Sequence, residues 1–164
     1  MSGPAAATVG VYGWTLPTFL EALDAANVRQ VLDVRQRRGV RGKEYAWANA
    51  GRLQAALNDA GVDYRHHKEL APTTELRQLQ YAEDDRLGVG KRSRTALAPA
   101  YVERYERELL DAVDLRPIVE AMPARGASAL LCVERDPEAC HRSLIAARLA
   151  AELGVTVTVT HLRP

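Results

Sequence analysis

Cys132, Glu134, Cys140, His141 and Arg142 fall in one short stretch, Leu130–Ser143, and both cysteines of the chain are among them. Such a set has chemical range. A thiol can become a nucleophile, a carboxylate can act as a base, and an imidazole can donate or accept a proton near neutral pH. Asp136 can cap a helix and Pro137 suits a first helical turn, where its missing N–H costs nothing. The spacing therefore predicts a helix from Pro137 to Leu153 with Cys140, His141, Arg142 and Ser143 in its first two turns. An anion would meet the positive end of that helix, with Arg142 to bind it.

A second polar group, Asp33-Val34-Arg35, closes another apolar run. In an open α/β sheet, loops at the carboxyl ends of neighbouring strands share one crevice. Asp33, Arg35, Glu134 and the start of the last helix can thus converge, joined by Trp14 from the first strand-to-helix turn. Arg35 and Arg142 are the expected anion-binding pair, and Asp33, Glu134, His141 and Cys140 the catalytic candidates. Tyr64, His66 and Glu69, beyond a short third strand, supply another edge of the pocket. The competing reading is that Asp33 pairs with Arg142, or Glu134 with Arg35, merely to join loops.

The two cysteines read as buried, reduced thiols rather than a disulfide, because Cys132 belongs to a strand and Cys140 to a helix. Their spacing is not a zinc-knuckle signature. Cys140 and His141 are adjacent, so on a helix their side chains diverge by about 100 degrees. His66, His67 and His161 offer further ligands, but no close pair has a strong metal spacing, and no metal is assigned.

Lys43, Lys68 and Lys91 are the only lysines among 22 basic residues, leaving 19 arginines. They cluster. Arg35, Arg37, Arg38, Arg41 and Lys43 share one loop without an acid, and Lys91, Arg92 and Arg94 share another. Arg37, Arg38, Arg41, Lys43, Lys91, Arg92 and Arg94 are the expected phosphate contacts if the partner is a nucleic acid, with Tyr81, Tyr101 and Tyr105 available for stacking or for the core. The run Gly88-Val89-Gly90-Lys91-Arg92-Ser93 lacks the order and preceding strand of a phosphate loop, so a nucleoside triphosphatase is not indicated.

The elements that must position these groups alternate along the chain. Strands are expected at Thr8–Tyr12, Val28–Val34, Val62–Arg65, Ala127–Val133 and Val155–Leu162. Helices are expected at Leu16–Ala26, Asn49–Asp59, partly over Leu76–Leu87, from Pro99 toward Leu110 with an extension or restart through Glu120, and over Pro137–Leu153. Gly61 and Gly154 would stop the second and last helices. Gly88–Arg94 reads as an exposed flexible turn. This order implies a single three-layer α/β domain over residues 1–164, with a mainly parallel sheet covered by helices, Rossmann-like but without a dinucleotide fingerprint.

Asp33-Val34-Arg35, Gly61-Val62, Tyr64, His66, Glu69-Leu70, Leu131-Cys132, Glu134, Cys140-His141-Arg142 and the late Val159, His161 and Leu162 together resemble the protein family named Domain of Unknown Function 488. The resemblance covers nearly the whole chain. Gly13-Trp14-Thr15 and Ala71-Pro72 depart from the family's usual Gly-x-Ser opening and from the glycine that often follows the Glu-Leu pair. What the resemblance implies is a compact α/β domain with a shared pocket; it brings no assigned reaction and no cofactor.

At 164 residues the chain can bury roughly two thirds of its unfolded surface, enough for one sizeable core. No segment reaches the roughly twenty apolar residues that span a bilayer, and Met1–Ala5 lacks the features of a signal peptide. A cytoplasmic protein without a membrane partner is expected. The net charge of +1 gives no global attraction to nucleic acid, so any such binding must come from clustered arginines. Three readings follow: an enzyme acting on a phosphorylated metabolite or nucleotide as a small anionic ligand, a nucleic-acid-binding protein using arginine-rich loops, and a non-catalytic interaction domain. Neither a cofactor nor an oligomeric state is legible.

Overall fold

The computed structural model describes residues 4–153 and 156–164. Five strands, β1 (Ala5–Val9), β2 (Val28–Asp33), β3 (Asp63–His66), β4 (Ala127–Leu131) and β5 (Thr156–Leu162), form one parallel sheet in the order β3-β2-β4-β1-β5. Among the described residues six α-helices accompany it: α1 (Leu16–Ala25), α2 (Ala50–Asp59), α3 (Thr74–Leu87), α4 (Pro99–Tyr105), α5 (Arg116–Glu120) and α6 (Arg142–Leu153). This is the expected three-layer α/β arrangement. Among the described residues no helix is long and apolar enough to cross a membrane.

β4 is the central strand and is buried along its whole length. A parallel strand covered on both faces needs a continuous rather than alternating apolar run, and Ala-Ser-Ala-Leu-Leu, with only Ser128 polar, supplies it. Ser128 Oγ donates to Gln30 Oε1 on β2 at 2.9 Å, which satisfies the buried hydroxyl. The first strand was expected at Thr8–Tyr12 and instead occupies Ala5–Val9. Its three alanines are weak hydrophobic signals, yet their small side chains fit an interior strand. Beyond it the chain bends at Gly10, where a Cβ would stand 1.9 Å from the Glu134 carbonyl oxygen. Glycine is required for that close approach.

Local capping explains other boundaries. Thr15 and Thr18 form a reciprocal cap at the start of α1, with Pro17 in its first turn. Thr73 caps α3, and Gly88 closes it at φ 70°. The helix expected from Pro99 toward Leu110 is α4 followed by a π-helical turn over Glu106–Leu110, and of the two continuations expected through Glu120 the restart is observed, as α5. Gly154 and Val155, the expected helix stop and strand start, lie outside the described residues.

The topology creates a crevice. β2 and β4 are adjacent, but β2 leads through α2 to β3 at one edge, whereas β4 leads through α6 to β5 at the other. Connections leaving adjacent parallel strands in opposite directions open a gap at the strands' carboxyl ends. Asp33-Val34-Arg35 and Cys132-Val133-Glu134 stand on its two sides.

Candidate active site in a cationic cavity

The Pro137–Leu153 helix is corrected at its start. Pro137–Ala139 form a single 3-10 turn, Cys140 is extended at φ −142° and ψ 147°, and α6 begins at Arg142. Asp136 caps nothing with its side chain; its carboxylate pairs with Arg163 at 3.1 Å. The change of backbone direction removes the helical divergence between Cys140 and His141. Their Sγ and Nδ1 atoms are 3.6 Å apart.

His141 is buried beneath β2 and β4. Its Nε2 lies 2.8 Å from the Val34 carbonyl oxygen, which can only accept, so that nitrogen carries the proton. Nδ1 then faces the thiols of Cys140 and, at 3.8 Å, Cys132. The ring packs edge-on against Tyr105, whose hydroxyl donates to the Leu70 carbonyl at 2.6 Å. Cys140 Sγ also accepts the backbone N–H of Arg142 at 3.5 Å, placing the sulfur at the first turn of α6.

Glu134 stands beside this group. Cys132 donates its thiol proton to Glu134 Oε2 at 3.1 Å, and Arg94 Nη1 approaches Oε1 at 3.3 Å. Burial by itself would raise the Glu134 pKa, but the charge of Lys91, the Cys132 hydrogen bond and the charge of Arg94 hold it at about 2. Burial pushes the Cys132 thiol well above its ordinary pKa, so this sulfur stays protonated.

Arg94 overturns the reading of its loop as wholly exposed. It is buried, with Nε and Nη2 on the Asp84 carboxylate at 2.9 and 2.6 Å and Nη1 on the Ala139 carbonyl at 3.2 Å. Gln80 extends the network, donating to Asp84 at 2.9 Å and accepting the Ala98 N–H at 2.8 Å. Asp84 and Gln80 were missed in the sequence. The signal was present: Leu76, Gln80 and Asp84 recur every fourth residue and are the buried stripe of α3.

Arg35 and Arg142 are not free anion clamps. Arg35 gives Nε and Nη2 to Asp33 at 2.9 and 2.8 Å and Nη1 to the Ala48 carbonyl at 2.9 Å. Burial opposes its charge, but Asp33 more than compensates and raises its pKa. Arg142 donates Nη1 to the Glu134 carbonyl at 2.7 Å and Nη2 to that of Arg135 at 3.1 Å, while Nε has no partner. It does not line the cavity described below. Neither pairing weighed from sequence forms: Asp33 pairs with Arg35 within its own segment, and Glu134 pairs with Arg94 across two loops.

The pocket residues are likewise divided. Asp33 accepts from Arg35 and, at 2.5 Å, from the Tyr64 hydroxyl, so it orients neighbours rather than facing the cavity. His66 Nε2 donates to the Arg35 carbonyl at 2.9 Å and borders a separate shallow cleft with Arg38 and Lys68. Glu69 is exposed and bonded to His67 at 2.7 Å. Trp14 packs edge-on against Phe19, away from the crevice.

What the structure brings together is a cavity of about 700 Å³. Cys132, Glu134, Cys140 and His141 lie at its inner end. Arg37, Arg41, Arg77, Lys91 and Arg92 are arranged around it, Tyr12, Tyr81 and Tyr101 contribute aromatic surface, and Glu134 is the only carboxylate in the lining. The two basic loops meet: Arg92 donates to the Arg41 carbonyl at 3.3 Å and lies over the rings of Tyr12 and Tyr45, 5.1 and 5.3 Å from their centroids. Arg77 is held by Gln36 at 2.7 Å and Tyr81 at 3.0 Å. Of the predicted basic contacts, Arg37, Arg41, Lys91, Arg92 and Arg94 reach this cavity, whereas Lys43 and Arg38 do not.

Such a site combines a cation-rich wall with thiol, imidazole and carboxylate groups at its end, the ingredients for binding an anion and moving a proton beside it. No curated protein and no solved structure matches the chain. A match to the family described as Domain of unknown function DUF488 spans residues 15–149, taking in β2, β3, β4, both basic loops and every residue at the inner end of the cavity, and the chain belongs to that family.

Proposed function

We propose that this protein is an enzyme acting on a phosphorylated metabolite or nucleotide. The observation that carries the reading is the convergence of Arg37, Arg41, Arg77, Lys91 and Arg92 from three segments on one cavity that holds a single carboxylate. Its volume suits a small molecule rather than a duplex or long strand. Phosphate oxygens would take the guanidinium fork of Arg41 and the ammonium of Lys91, with the charge of Arg77 held beside them by Gln36 and Tyr81, and Tyr12 or Tyr101 would contact the remainder. Glu134, His141 and Cys140 are the groups placed to react; Asp33 acts through Arg35 and Tyr64 as a positioning residue. We assign the protein to the cytoplasm because its two cysteines are free and buried, as a reducing compartment favours.

Calorimetric titration with nucleoside monophosphates and diphosphates, sugar phosphates, inorganic phosphate and an uncharged nucleoside tests the reading. Phosphate-bearing compounds are expected to bind and the uncharged nucleoside to fail, with Arg41→Ala and Lys91→Ala each weakening the complex about tenfold, the loss of one charge-assisted contact. Absence of binding by every phosphate compound would overturn it. A single-stranded oligonucleotide that binds in their place, with a salt slope reduced by Arg37→Ala, would establish the arginine loops as a nucleic-acid surface instead.

A further inference from the structure

We propose that Cys132, Cys140 and His141 form a three-ligand site for zinc or a chemically similar transition-metal ion, with the remaining coordination position turned toward the cationic cavity.

Both sulfur-to-nitrogen separations already match coordination spacing. His141 Nδ1 is 3.6 Å from Cys140 Sγ and 3.8 Å from Cys132 Sγ, and all three atoms lie within 4.8 Å of one another. A tetrahedral zinc ion with ordinary Zn–S and Zn–N bonds requires S···N separations of about 3.6 Å and an S···S separation of about 3.8 Å. Hydrogen bonding alone does not account for the pattern. Cys140 can donate its thiol proton to Nδ1, but Cys132 directs its own to Glu134, so hydrogen bonding explains one sulfur facing the imidazole and not the second.

The surroundings prepare the ligands. The Val34 carbonyl holds the proton of His141 on Nε2 and leaves the Nδ1 lone pair among the sulfurs, the outer-shell arrangement typical of metal-bound histidine. The Cys140 sulfur accepts the Arg142 N–H, a contact that persists when the sulfur is a thiolate. Glu134 Oε2 accepts the hydrogen bond of the Cys132 thiol and so fixes that side chain beside the imidazole. Binding is balanced: a divalent ion enters, two thiol protons leave to solvent, and the two thiolates and neutral imidazole give a centre without net charge. Two sulfurs and an imidazole favour zinc, cobalt or copper over magnesium or calcium.

The number of ligands matters as much as their type. Among the described residues no fourth histidine, cysteine or carboxylate lies within ligand spacing of all three atoms; Glu134 meets Cys132 alone, and Cys132, Cys140 and His141 all line the cavity. Three protein ligands with an open position define a zinc site that binds water or an exogenous donor, whereas structural sites are closed by a fourth residue. A phosphate oxygen held by the cavity arginines could occupy that position; this last step rests on the function proposed above, and metal binding itself does not.

Cobalt(II) titration of the reduced, metal-free full chain provides the test. One equivalent should give sulfur-to-cobalt charge-transfer absorption and the intense visible bands of a tetrahedral centre. The native mass spectrum should rise by one metal less two protons. Cys132→Ser, Cys140→Ser and His141→Gln should each weaken metal binding at least tenfold while circular dichroism retains the native fold. Should any of these variants fail to fold, protection of both wild-type thiols from a disulfide reagent by zinc, reversed by a chelator, supplies the same information.

A wild-type protein that develops no sulfur-to-cobalt absorption and no zinc-dependent thiol protection overturns the site. Absorption that persists in the Cys132→Ser/Cys140→Ser double variant also overturns it. Adding a nucleoside monophosphate to the cobalt form should shift the visible bands; unchanged bands while calorimetry records binding overturn the open position. Failure of every phosphate compound to bind counts against the proposed function alone, because the cobalt spectrum is read without a ligand.

Discussion

The arginines buried in the interior and those at the rim of the cavity have the same side chain in opposite circumstances. Arg94 and Arg142 are 7% and 0% exposed and are bound to carboxylates or backbone carbonyls, whereas Arg37, Arg41 and Arg92 are exposed beside open space. A buried guanidinium must be satisfied within the protein because water cannot reach it. Its bonds then fix the loops. An exposed guanidinium keeps solvent as its default partner and can exchange that solvent for a ligand at little structural cost. Charge becomes binding capacity where folding has left it unspent.

Removing a guanidinium from the interior should have the largest effect. Arg94→Ala leaves Asp84 and Glu134 buried without their shared cation, and the expected loss of stability is about 3–5 kcal/mol. Urea unfolding checks it. A loss below about 1 kcal/mol would mean that solvent satisfies this end of the cavity and would erase the contrast with the rim.

Acid titration sharpens the comparison from the carboxylate side. Glu134 is held at about 2 in the folded protein against an ordinary 4.5, so the unfolded chain binds this proton more readily. The stability it contributes is complete above the ordinary pKa and is lost as pH falls through 4.5 toward 2. The difference corresponds to roughly 3 kcal/mol. Glu134→Gln should flatten this part of the pH–stability curve, and an unchanged curve would show that another group controls it.

The rim should respond least. Arg37→Ala and Arg41→Ala are expected to change unfolding free energy by no more than about 0.5 kcal/mol, the range for exposed positions away from structural features. Chemical denaturation of each variant decides this. A loss comparable to that of Arg94→Ala would show the rim to be part of the framework.

Much of the fold was legible because periodicity and capping are local. The alternation of strands and helices, the buried Leu130-Leu131 run, the Leu16 start of α1 and the α/β class all follow from neighbouring residues. The alanine-rich first strand escaped notice because its burial depends on two flanking strands rather than on its own hydrophobicity. The site was legible in inventory more than in arrangement. Cys132, Glu134, Cys140 and His141 were identified and lie together; of the expected anion-binding pair, Arg35 lines the cavity while bonded to Asp33, and Arg142 is bonded to backbone carbonyls outside it. Asp84 and Gln80, on a helix otherwise rich in charge, went unrecognised.

By itself the sequence determined which functional groups exist, the class of fold that carries them and the clustering of arginine in two loops. Only the tertiary structure decided which arginines pair and which line a cavity, because pairing depends on distances between segments far apart in the chain. It also decided the orientation of Cys140 and His141. A helix would have separated their side chains, but one extended residue before α6 turns both toward Cys132. Local propensity sets the elements, while burial and the demand that every buried polar group find a partner set what those elements present to one another.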